Sequence, residues 1–292
     1  MTEAASLLTR RSLLVAGSAA AAAPALGRPA RLRVVEWASG AGPLHVRSTI
    51  FEGPTALGLV DAQFTLSNAM RLIADLKERE KPLDWVYVTH PHLDHFNGAA
   101  LIRAAFPRAR FYARADAIAA FEPMVATRQA SLGAAAPGGV GNLPAEPPRF
   151  FEAAPAEGLL LDGQALQILT GRGDHPLSSA VWEPDSRTIA TGDVVFSETH
   201  AFTGDHDDFD GWIAFVRRIQ ALDPSRVIVG HAEVDVRRGD RVLAEQIDWL
   251  ERYRDARAED PSVAHVKRVM TAAYPRYAND FIFAFSAGVK PL

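Results

Sequence analysis

Residues 89–98 read Thr89-His90-Pro91-His92-Leu93-Asp94-His95-Phe96-Asn97-Gly98. Three imidazoles and a carboxylate fall close together in this segment, directly after the apolar run Trp85-Val86-Tyr87-Val88. A short apolar, β-branched run is typical of a buried strand, so we expect the histidines to occupy the loop that follows it. Imidazole and carboxylate are ligands that Zn²⁺ accepts. The segment therefore predicts a metal site at the end of a strand.

The order of the polar residues suggests how ions would be shared. Alternate residues of an extended chain point the same way, so we expect His90 and His92 to address one ion, and Asp94 and His95 another. Pro91 supports a loop, because its fixed φ and missing N–H stiffen the chain and end strand pairing. The alternative is a solvated polar loop with scattered histidines, which the tight spacing disfavours.

The composition indicates a globular protein without a nucleic-acid partner. The chain has 292 residues, of which 48% are hydrophobic, which suits one large α/β domain or two small ones. Its net charge is −4, with acidic and basic residues mixed and no basic stripe to attract a phosphate backbone. It has no cysteine, so neither disulfides nor thiolate metal ligands can form.

Residues 1–25 resemble a twin-arginine (Tat) signal peptide. The pair Arg10-Arg11 precedes a weakly apolar, alanine-rich run that ends in Ala23-Pro24-Ala25, an A-x-A-like cleavage site. The alternative is a membrane anchor, but residues 13–26 are too short and too alanine-rich to span a bilayer, which takes about 20 apolar residues. We therefore expect the Tat export machinery as a partner, a periplasmic or secreted location, and no stable membrane anchor.

Alternating strand and helix patterns follow this leader. The pattern predicts strands at 32–37, 48–52, 57–61, 85–89 and 110–113, with helices at 65–82, 99–106 and 115–121. The apolar face of the first helix is expected to consist of Leu66, Ala69, Met70, Ile73 and Leu76. Such alternation is typical of an α/β sheet.

The pattern fails over 122–157, a stretch rich in Ala, Pro and Gly. A domain linker is one interpretation, but a loop this long in a compact domain is usually functional or disordered, and we favour a flap or insertion over the metal cleft. Beyond it the sequence predicts hairpins at 159–169, around Asp162-Gly163, and at 179–190. A helix over 209–219, a strand at 226–230 and a long helix around 243–254 complete the second half. The two halves allow two sheets packed face to face, with helices outside.

Three further metal-ligand candidates stand after apolar runs: His175, Asp193 and His231. Any one of them alone is usually a loop residue. All three together, in this order after the H-x-H-x-D-H segment, indicate metal ligands. His200 comes shortly after Asp193 and is a candidate for substrate binding. The remaining loop histidine nearby, His206, is interpreted as solvated. We interpret two others, His45 and His265, as structural or exposed.

These residues make the chain, over roughly 31–249, resemble the metallo-β-lactamase superfamily. The resemblance implies an αββα sandwich with two mixed sheets, a hydrolase domain over 31–274 and a C-terminal tail over 275–292. It also implies a set of protein ligands for each of two metal ions, carried over position by position. One ion is expected on His90, His92 and His175 and the other on Asp94, His95 and His231, with Asp193 bridging the two. Where relatives often read G-H-T-P-G-S, this chain reads Asp174-His175-Pro176-Leu177-Ser178-Ser179.

The expected function is that of a dinuclear metal-dependent hydrolase acting on an ester, thioester or lactone-type bond of a small molecule. Two divalent ions, expected to be Zn²⁺, lower the pKa of a shared water and supply hydroxide near neutral pH. Asp94 is the expected catalytic residue, because it lies beside that hydroxide and can carry its proton to the leaving group.

Other functions of the same fold remain as alternatives: a β-lactam hydrolase, an iron-binding oxidoreductase, or a metal-binding protein without catalysis. Iron-dependent relatives commonly carry a carboxylate where this chain has His92, which favours hydrolysis. Acyl-homoserine lactonases in the family carry a tyrosine between the positions of Asp193 and His231, and this chain has none there. The sequence leaves the oligomeric state open.

Overall fold

The computed structural model of the chain describes residues 31–40, 43–126, 148–232 and 239–288. The signal peptide predicted for 1–25 lies outside the described residues. Within them, no helix is both long and apolar enough to cross a membrane.

The first sheet has six strands arranged in chain order. They are β1 (Arg33–Ala38), β2 (Arg47–Glu52), β3 (Leu57–Val60), β4 (Leu83–Val88), β5 (Arg110–Ala113) and β6 (Glu152–Ala153). Strands β1 to β3 pair antiparallel, and β3 to β6 pair parallel. Strands predicted from the sequence therefore occur in this sheet, each within about two residues of the expected bounds.

The second half of the chain supplies β7 (Leu159–Leu161), β8 (Gln164–Gly171), β9 (Ser178–Glu183), β10 (Thr188–Ala190), β11 (Phe196–Ser197), β12 (Arg226–Ile228) and β13 (His231–Ala232). Five of them form the second sheet, in the order β12-β10-β9-β8-β7, and β11 pairs with β13. Asp162 and Gly163 connect β7 to β8 with φ of 48° and 80°. Positive φ at both residues is what a tight two-residue hairpin turn requires, so the predicted hairpin is confirmed.

The helices cover the outer faces of both sheets. They include α1 (Leu66–Glu78), α2 (Leu93–Phe96), α3 (Ala99–Ala105), α4 (Phe209–Gln220), α5 (Gly239–Glu259), α6 (Val263–Ala273) and α7 (Ile282–Gly288). Thr65 caps α1 by accepting from the backbone N–H of Asn68, and Asp208 caps α4 by accepting from that of Gly211. Each cap satisfies a backbone donor that the first turn leaves unpaired.

Alternation along β4 shows how the layers meet. Trp85 and Tyr87 face the second sheet, where the Trp85 indole donates to the carbonyl of Leu160 (3.0 Å) and the Tyr87 hydroxyl lies 2.8 Å from Ser179 Oγ. Val86 faces the other way, into the cluster under α1 and α3. The outer face of the second sheet packs on α4 to α7. The αββα sandwich expected for this chain is confirmed.

Two local predictions in the first half were wrong. The helix expected at 115–121 is a short 3₁₀ turn at Ile118–Ala120, and residues 121–126 beyond it are helical. Met70, assigned to the buried face of α1, is 64% exposed, and Leu72 is buried in its place. Both errors come from short apolar runs that satisfy more than one helical register.

Two segments of the predicted domain organisation bear on this fold. The flap or insertion predicted over 122–157 lies largely outside the described residues, which exclude 127–147. The tail predicted for 275–292 contains α7, whose Phe283 is buried in the helical core over the second sheet. Helix α7 therefore contributes to the core.

Candidate metal centre

The candidate centre lies where five strands end. Asp61 follows β3, His90 follows β4, Asp174 comes after β8, Asp193 after β10 and His231 after β12. Strands β3 and β4 run parallel, and so do β10 and β12, so their carboxyl ends meet at one edge of each sheet. Loops at that edge bring residues distant in the sequence together, as is general for ligand sites of α/β sheets.

The first group of possible metal ligands consists of His90, His92, Asp174 and Asp193. His90 Nε2 lies 3.7 Å from Asp174 Oδ1 and 3.8 Å from Asp193 Oδ2. His92 Nδ1 lies 2.9 Å from Asp174 Oδ2. All four residues are buried, and one ligand atom of each lies within 4.8 Å of the others. These atoms surround a common point that a single ion could fill.

The second group consists of Asp94, His95, Asp193 and His231. His231 Nε2 lies 2.9 Å from Asp193 Oδ2 and 3.2 Å from Asp94 Oδ2. His95 Nε2 lies 3.1 Å from Asp193 Oδ1. Asp193 belongs to both groups, which is the position expected of a bridging carboxylate. The structure thus brings together six of the seven residues proposed from the sequence as ligands, with Asp174 in the place expected for His175.

Close backbone approach makes room for the shared carboxylate. A Cβ atom at Gly230 would overlap Asp193 Oδ1, so only glycine fits beside that carboxylate. Gly192 has a φ of +49°, and a Cβ atom there would collide with the side chain of Thr89. Both positions require glycine because the strand ends are packed directly against one another.

Carboxylates hold the outer nitrogen of two histidines. His95 Nδ1 lies 2.7 Å from Asp61 Oδ2, and His92 Nε2 lies 2.7 Å from Asp205 Oδ2. An ionised carboxylate only accepts, so the facing nitrogen carries the proton and donates it. The other nitrogen, His95 Nε2 or His92 Nδ1, then has its lone pair aimed at the centre. Carboxylates that accept from the nitrogen facing away from a metal fix the tautomer and orientation of metal-binding imidazoles.

The remaining two histidines are oriented in the same sense. His231 Nδ1 donates to the carbonyl of Leu44. His90 Nδ1 lies 3.0 Å from Thr89 Oγ1, whose own proton is directed to the Asp61 carboxylate 2.9 Å away. The hydroxyl therefore accepts from His90, and both histidines keep the Nε2 lone pair for the centre. All four imidazoles are prepared for a cation.

Unpaired buried atoms converge on the same space. Within the described residues, His90 Nε2, both Asp174 oxygens and Asp193 Oδ1 are buried and have no hydrogen-bond partner. The close approaches to Asp174 and Asp193 are ion-pair contacts without hydrogen-bond geometry. Leaving a buried donor or acceptor unpaired costs about 1–3 kcal/mol, and more for a charged group. Metal ions would satisfy these atoms at once, so the residues present fit a metal centre.

The carboxylates of the second group favour positive charge on the neighbouring histidines. Burial alone would lower the pKa of His231, but Asp193 and Asp94 raise it to about 10. Burial likewise disfavours protonated His95, yet Asp193 and Asp61 raise its pKa well above the ordinary value. Burial would raise the pKa of Asp193, and His231 with His95 hold it well below its usual range. Protons on the histidines and divalent ions thus compete for the same carboxylates.

The first group shows the same competition. Burial lowers the pKa of His92, but the Asp174 and Asp205 carboxylates raise it well above the usual value. Burial raises the pKa of Asp174 to about 8 against the lowering effect of His92. Burial, together with His95 and His92, keeps the pKa of His90 well below its ordinary value. Burial disfavours the ionised form of Asp174, and a cation bound beside this carboxylate would offset that effect.

We expect the thermal stability of the metal-free protein to fall as pH rises through the alkaline range. The folded pKa of His231 is about 10 against 6.5 for the free side chain. Its protonated form therefore stabilises the fold fully below pH 6.5, and this contribution is lost as pH approaches 10. Thermal melts of chelator-treated protein between these pH values measure the effect.

Divalent ions provide the control for this experiment. With metal bound, positive charge no longer depends on imidazole protons, so the melting temperature should change less over the same range. His231→Gln removes one titrating group, while His95 and His92 remain, so the metal-free profile should become flatter than that of the wild type. A metal-free wild-type profile as flat as that of the variant would contradict the charge assignment.

Five of the nine histidines lie outside both groups, and two of these, His175 and His200, are site residues in the prediction from sequence. His175 groups instead with His92 and Asp205, and its Nδ1 accepts from the Leu177 N–H. His200 is 2% exposed and packs among Trp249, Tyr277 and Phe283, where its Nδ1 accepts from the Trp249 indole. It belongs to none of the metal-ligating groups found in the described residues, and its role in substrate binding stays a prediction.

His206, interpreted as solvated, is part of the site's framework. Its Nε2 donates to the Gly173 carbonyl over 2.7 Å, and its Nδ1 accepts from the Asp208 N–H. It therefore anchors the loop that carries Asp174. Burial is the main reason that its pKa lies below the usual value.

Sequence reasoning did not assign Asp61, Asp174 or Asp205 to the centre. The signals were modest: Asp61 ends a predicted strand, Asp174 precedes a proposed ligand, and Asp205 lies in an acidic loop. A carboxylate next to a histidine cluster is common without any metal. Their roles become visible only from the distances described above.

Comparison with known proteins agrees with this geometry. The family model described as the metallo-beta-lactamase superfamily matches residues 41–231. No match was found among curated proteins.

Several solved structures have a similar fold. A metallo-beta-lactamase family protein from Thermus thermophilus is 17% identical, with a TM-score of 0.65 over 87% of this chain and 90% of that chain. A beta-lactamase domain protein from Burkholderia ambifaria is 19% identical, with a TM-score of 0.61 over 90% of this chain and 92% of that one. The metallo-beta-lactamase FIM-1 from Pseudomonas aeruginosa, in a mono-zinc form, is 18% identical, with a TM-score of 0.54 over 76% and 96% of the two chains.

At these identities the structural likeness concerns the fold alone. The family model, in contrast, covers more than half of the chain and spans every residue of the two ligand groups. The chain belongs to the metallo-beta-lactamase superfamily.

Proposed function

We propose that the protein is a dinuclear metal-dependent hydrolase that cleaves an ester, thioester or lactone-type bond of a small molecule. The observation that carries this proposal is the pair of buried ligand groups sharing Asp193, with unpaired nitrogen and oxygen atoms aimed into them. Two divalent ions, with zinc as the first metal to test, would satisfy these atoms. His90, His92, Asp174 and Asp193 would hold one ion, and Asp94, His95, His231 and Asp193 the other.

The ions would supply a polarising charge for a carbonyl group and a lowered pKa for water, so that hydroxide forms near neutral pH. The chain's own contribution is rigid orientation. Asp61 and Asp205 hold His95 and His92 in the required tautomers, and the carboxylate of Asp193 adds negative charge between two dications that would otherwise repel each other.

Asp94 is suited to move a proton. Its side chain is 13% exposed, against 3% for Asp193 and 5% for His231, so it borders the accessible side of the centre. The neighbouring imidazoles offset the effect of burial and keep its pKa below the usual value. An ionised carboxylate at this position can take a proton from attacking water and deliver it to the leaving group.

β-Lactam hydrolysis is a second candidate. It is favoured by the fold shared with FIM-1 from Pseudomonas aeruginosa, which is named a metallo-beta-lactamase. The imidazole of His92, at the position where iron-dependent relatives commonly have a carboxylate, favours hydrolysis over an oxidoreductase.

Metal analysis combined with a substrate panel tests the proposal. Purified protein is stripped with a chelator, reloaded with Zn²⁺, Mn²⁺ or Fe²⁺, and assayed on matched esters, thioesters, lactones and β-lactams. We expect two ions per chain and hydrolysis of at least one of the first three classes, which is lost on stripping and recovered on reloading. Turnover restricted to β-lactams would favour the second candidate. Metal binding without hydrolysis of any class would favour a protein that binds metal without catalysis.

We also propose that the Tat machinery exports the protein, already folded, to the periplasm or beyond. The support is the pair Arg10-Arg11 ahead of a weakly apolar segment. Changing both arginines to lysine should leave the precursor in the cytoplasm, as measured by fractionation and immunoblotting. A variant with two lysines at the neighbouring positions Thr9 and Ser12 serves as the control. Mature protein outside the inner membrane in the double Arg→Lys variant would contradict this route.

A further inference from the structure

We propose that Asp174, in place of His175, is a protein ligand of the first metal position, and that its carboxylate shifts the preference of this position from Zn²⁺ toward Mn²⁺. This inference rests on the metal centre of the proposed function. It concerns which residue binds and which ion is favoured, and does not depend on the substrate.

Asp174 has the geometry of a ligand. The residue is 1% exposed, and its two oxygens lie 3.7 Å from His90 Nε2 and 2.9 Å from His92 Nδ1. Neither oxygen has a hydrogen-bond partner among the described residues. A buried carboxylate with neither oxygen in a hydrogen bond is expensive, and in the tautomer that Asp205 sets, neutral His92 presents only a lone pair to it. A cation between these three side chains would remove both problems.

His175 lacks a free lone pair. Its Nδ1 accepts from the Leu177 N–H over 3.0 Å. A neutral imidazole whose Nδ1 accepts carries its proton on Nε2, so in this tautomer His175 offers no lone pair, and its ligand atoms group with His92 and Asp205 but not with His90. The ring instead meets that of His92 edge-on, with centroids 5.2 Å apart, on the side where Asp205 binds His92.

The loop is held in this register by several bonds. The Asp174 N–H donates to the Asp193 carbonyl, and the Gly173 N–H donates to the His175 carbonyl, each over 3.2 Å. His206 holds the Gly173 carbonyl. A Cβ atom at Gly173 would crowd Ser178 Oγ at 2.7 Å, so the loop has little freedom to rotate. Exchanging Asp174 for His175 at the centre would break these contacts together.

The donor set determines the expected metal preference. With Asp174, the first metal position has two imidazole ligands, one carboxylate that binds this ion alone, and the carboxylate of Asp193, which bridges both ions. With His175 it would have three imidazoles and the shared carboxylate. Imidazole suits Zn²⁺, whereas carboxylate oxygen suits Mn²⁺, although Zn²⁺ binds most sites more tightly in absolute terms. The consequence is therefore a smaller ratio of Zn²⁺ to Mn²⁺ affinity than an imidazole in this place would give.

Three variants of the full chain test the assignment. Asp174→Asn keeps the shape and removes the charge, Asp174→His supplies an imidazole, and His175→Gln is the matched control next to it. Each chelator-stripped protein is titrated with Zn²⁺ and with Mn²⁺ by calorimetry in the presence of a competing chelator. Circular dichroism and melting temperature of the stripped proteins check folding.

The expected results differ between the variants. Asp174→Asn should weaken one of the two Mn²⁺ sites on the order of tenfold or more, because loss of a residue that only supports a metal ligand already has an effect of this size. Asp174→His should raise the Zn²⁺ to Mn²⁺ affinity ratio of one site on the order of tenfold. His175→Gln should leave the Zn²⁺ to Mn²⁺ affinity ratio of each of the two sites unchanged.

Three outcomes would overturn the inference. If His175→Gln loses an ion while Asp174→Asn keeps both, His175 is the ligand. If Asp174→His binds normally with an unchanged ratio, Asp174 does not set metal preference. If the wild-type protein binds no divalent ion, the proposed function fails as well, whereas two ions bound with the same affinities by wild type and Asp174→Asn refute this inference alone.

Discussion

Replacing Asp193 with asparagine is expected to abolish dinuclear metal binding and to lower hydrolysis by about a hundredfold or more. Its carboxylate belongs to both ligand groups, with oxygens 3.1 Å from His95 Nε2 and 2.9 Å from His231 Nε2. The substitution removes the negative charge that separates two dications, so the second ion should bind weakly or not at all. Elemental analysis after reloading, together with steady-state kinetics, measures both effects.

Glu183→Gln is the matched control for this experiment. Glu183 is 1% exposed and accepts from the backbone N–H groups of Asp185 and Ser186, in a turn that contains no member of the ligand groups. The control therefore removes a buried carboxylate without touching the centre, and should keep two ions per chain. A wild-type enzyme fully active with a single ion would contradict the two-metal interpretation, and so would Asp193→Asn that retains two.

Asp94→Asn is expected to lower turnover about a hundredfold or more on substrates with poor leaving groups while the ion of the first group remains bound. The first group does not include Asp94, so its ligands are intact in this variant. Asparagine has a similar shape but cannot accept a proton and pass it on. Metal content and kcat for a series of esters that differ only in the pKa of the leaving alcohol measure the two effects separately.

The dependence on leaving group distinguishes proton transfer from a structural effect. A leaving group of low pKa departs without being protonated, so its hydrolysis should suffer much less in the variant. Equal losses across the ester series would indicate that Asp94 acts only by positioning an ion. His231→Gln provides the comparison, because it disturbs the same group without removing the proton carrier and should slow all esters alike.

Much of the fold followed from patterns of short range. The meander of β1 to β3, helix α1 and the hairpin at Asp162-Gly163 occur where apolar periodicity and turn residues predicted them. Periodicity reports which face of an element is buried, and turn residues report backbone conformations that few side chains tolerate. Where a short run matched several registers, as at 115–121, the sequence was ambiguous and the prediction was wrong.

The position of the centre was also predictable in outline. The H-x-H-x-D-H segment after β4 and two later residues, Asp193 and His231, lie together as expected. Each stands just after a strand, and the family resemblance supplied the pairing between distant segments. Histidines and aspartates in this order and spacing have few uses other than metal binding, so the sequence of this one chain is enough to predict the centre.

The sequence by itself determined the sandwich of two sheets, the site at the strand ends and the identity of six of its ligand candidates. Only the tertiary structure placed Asp174, and not His175, beside His90, because the loop is held by long-range hydrogen bonds to the Asp193 carbonyl and from His206. It likewise placed His200 among aromatic rings contributed by α5 and α7. Which way a loop side chain faces is determined by partners far away in the sequence, and local pattern carries no information about them.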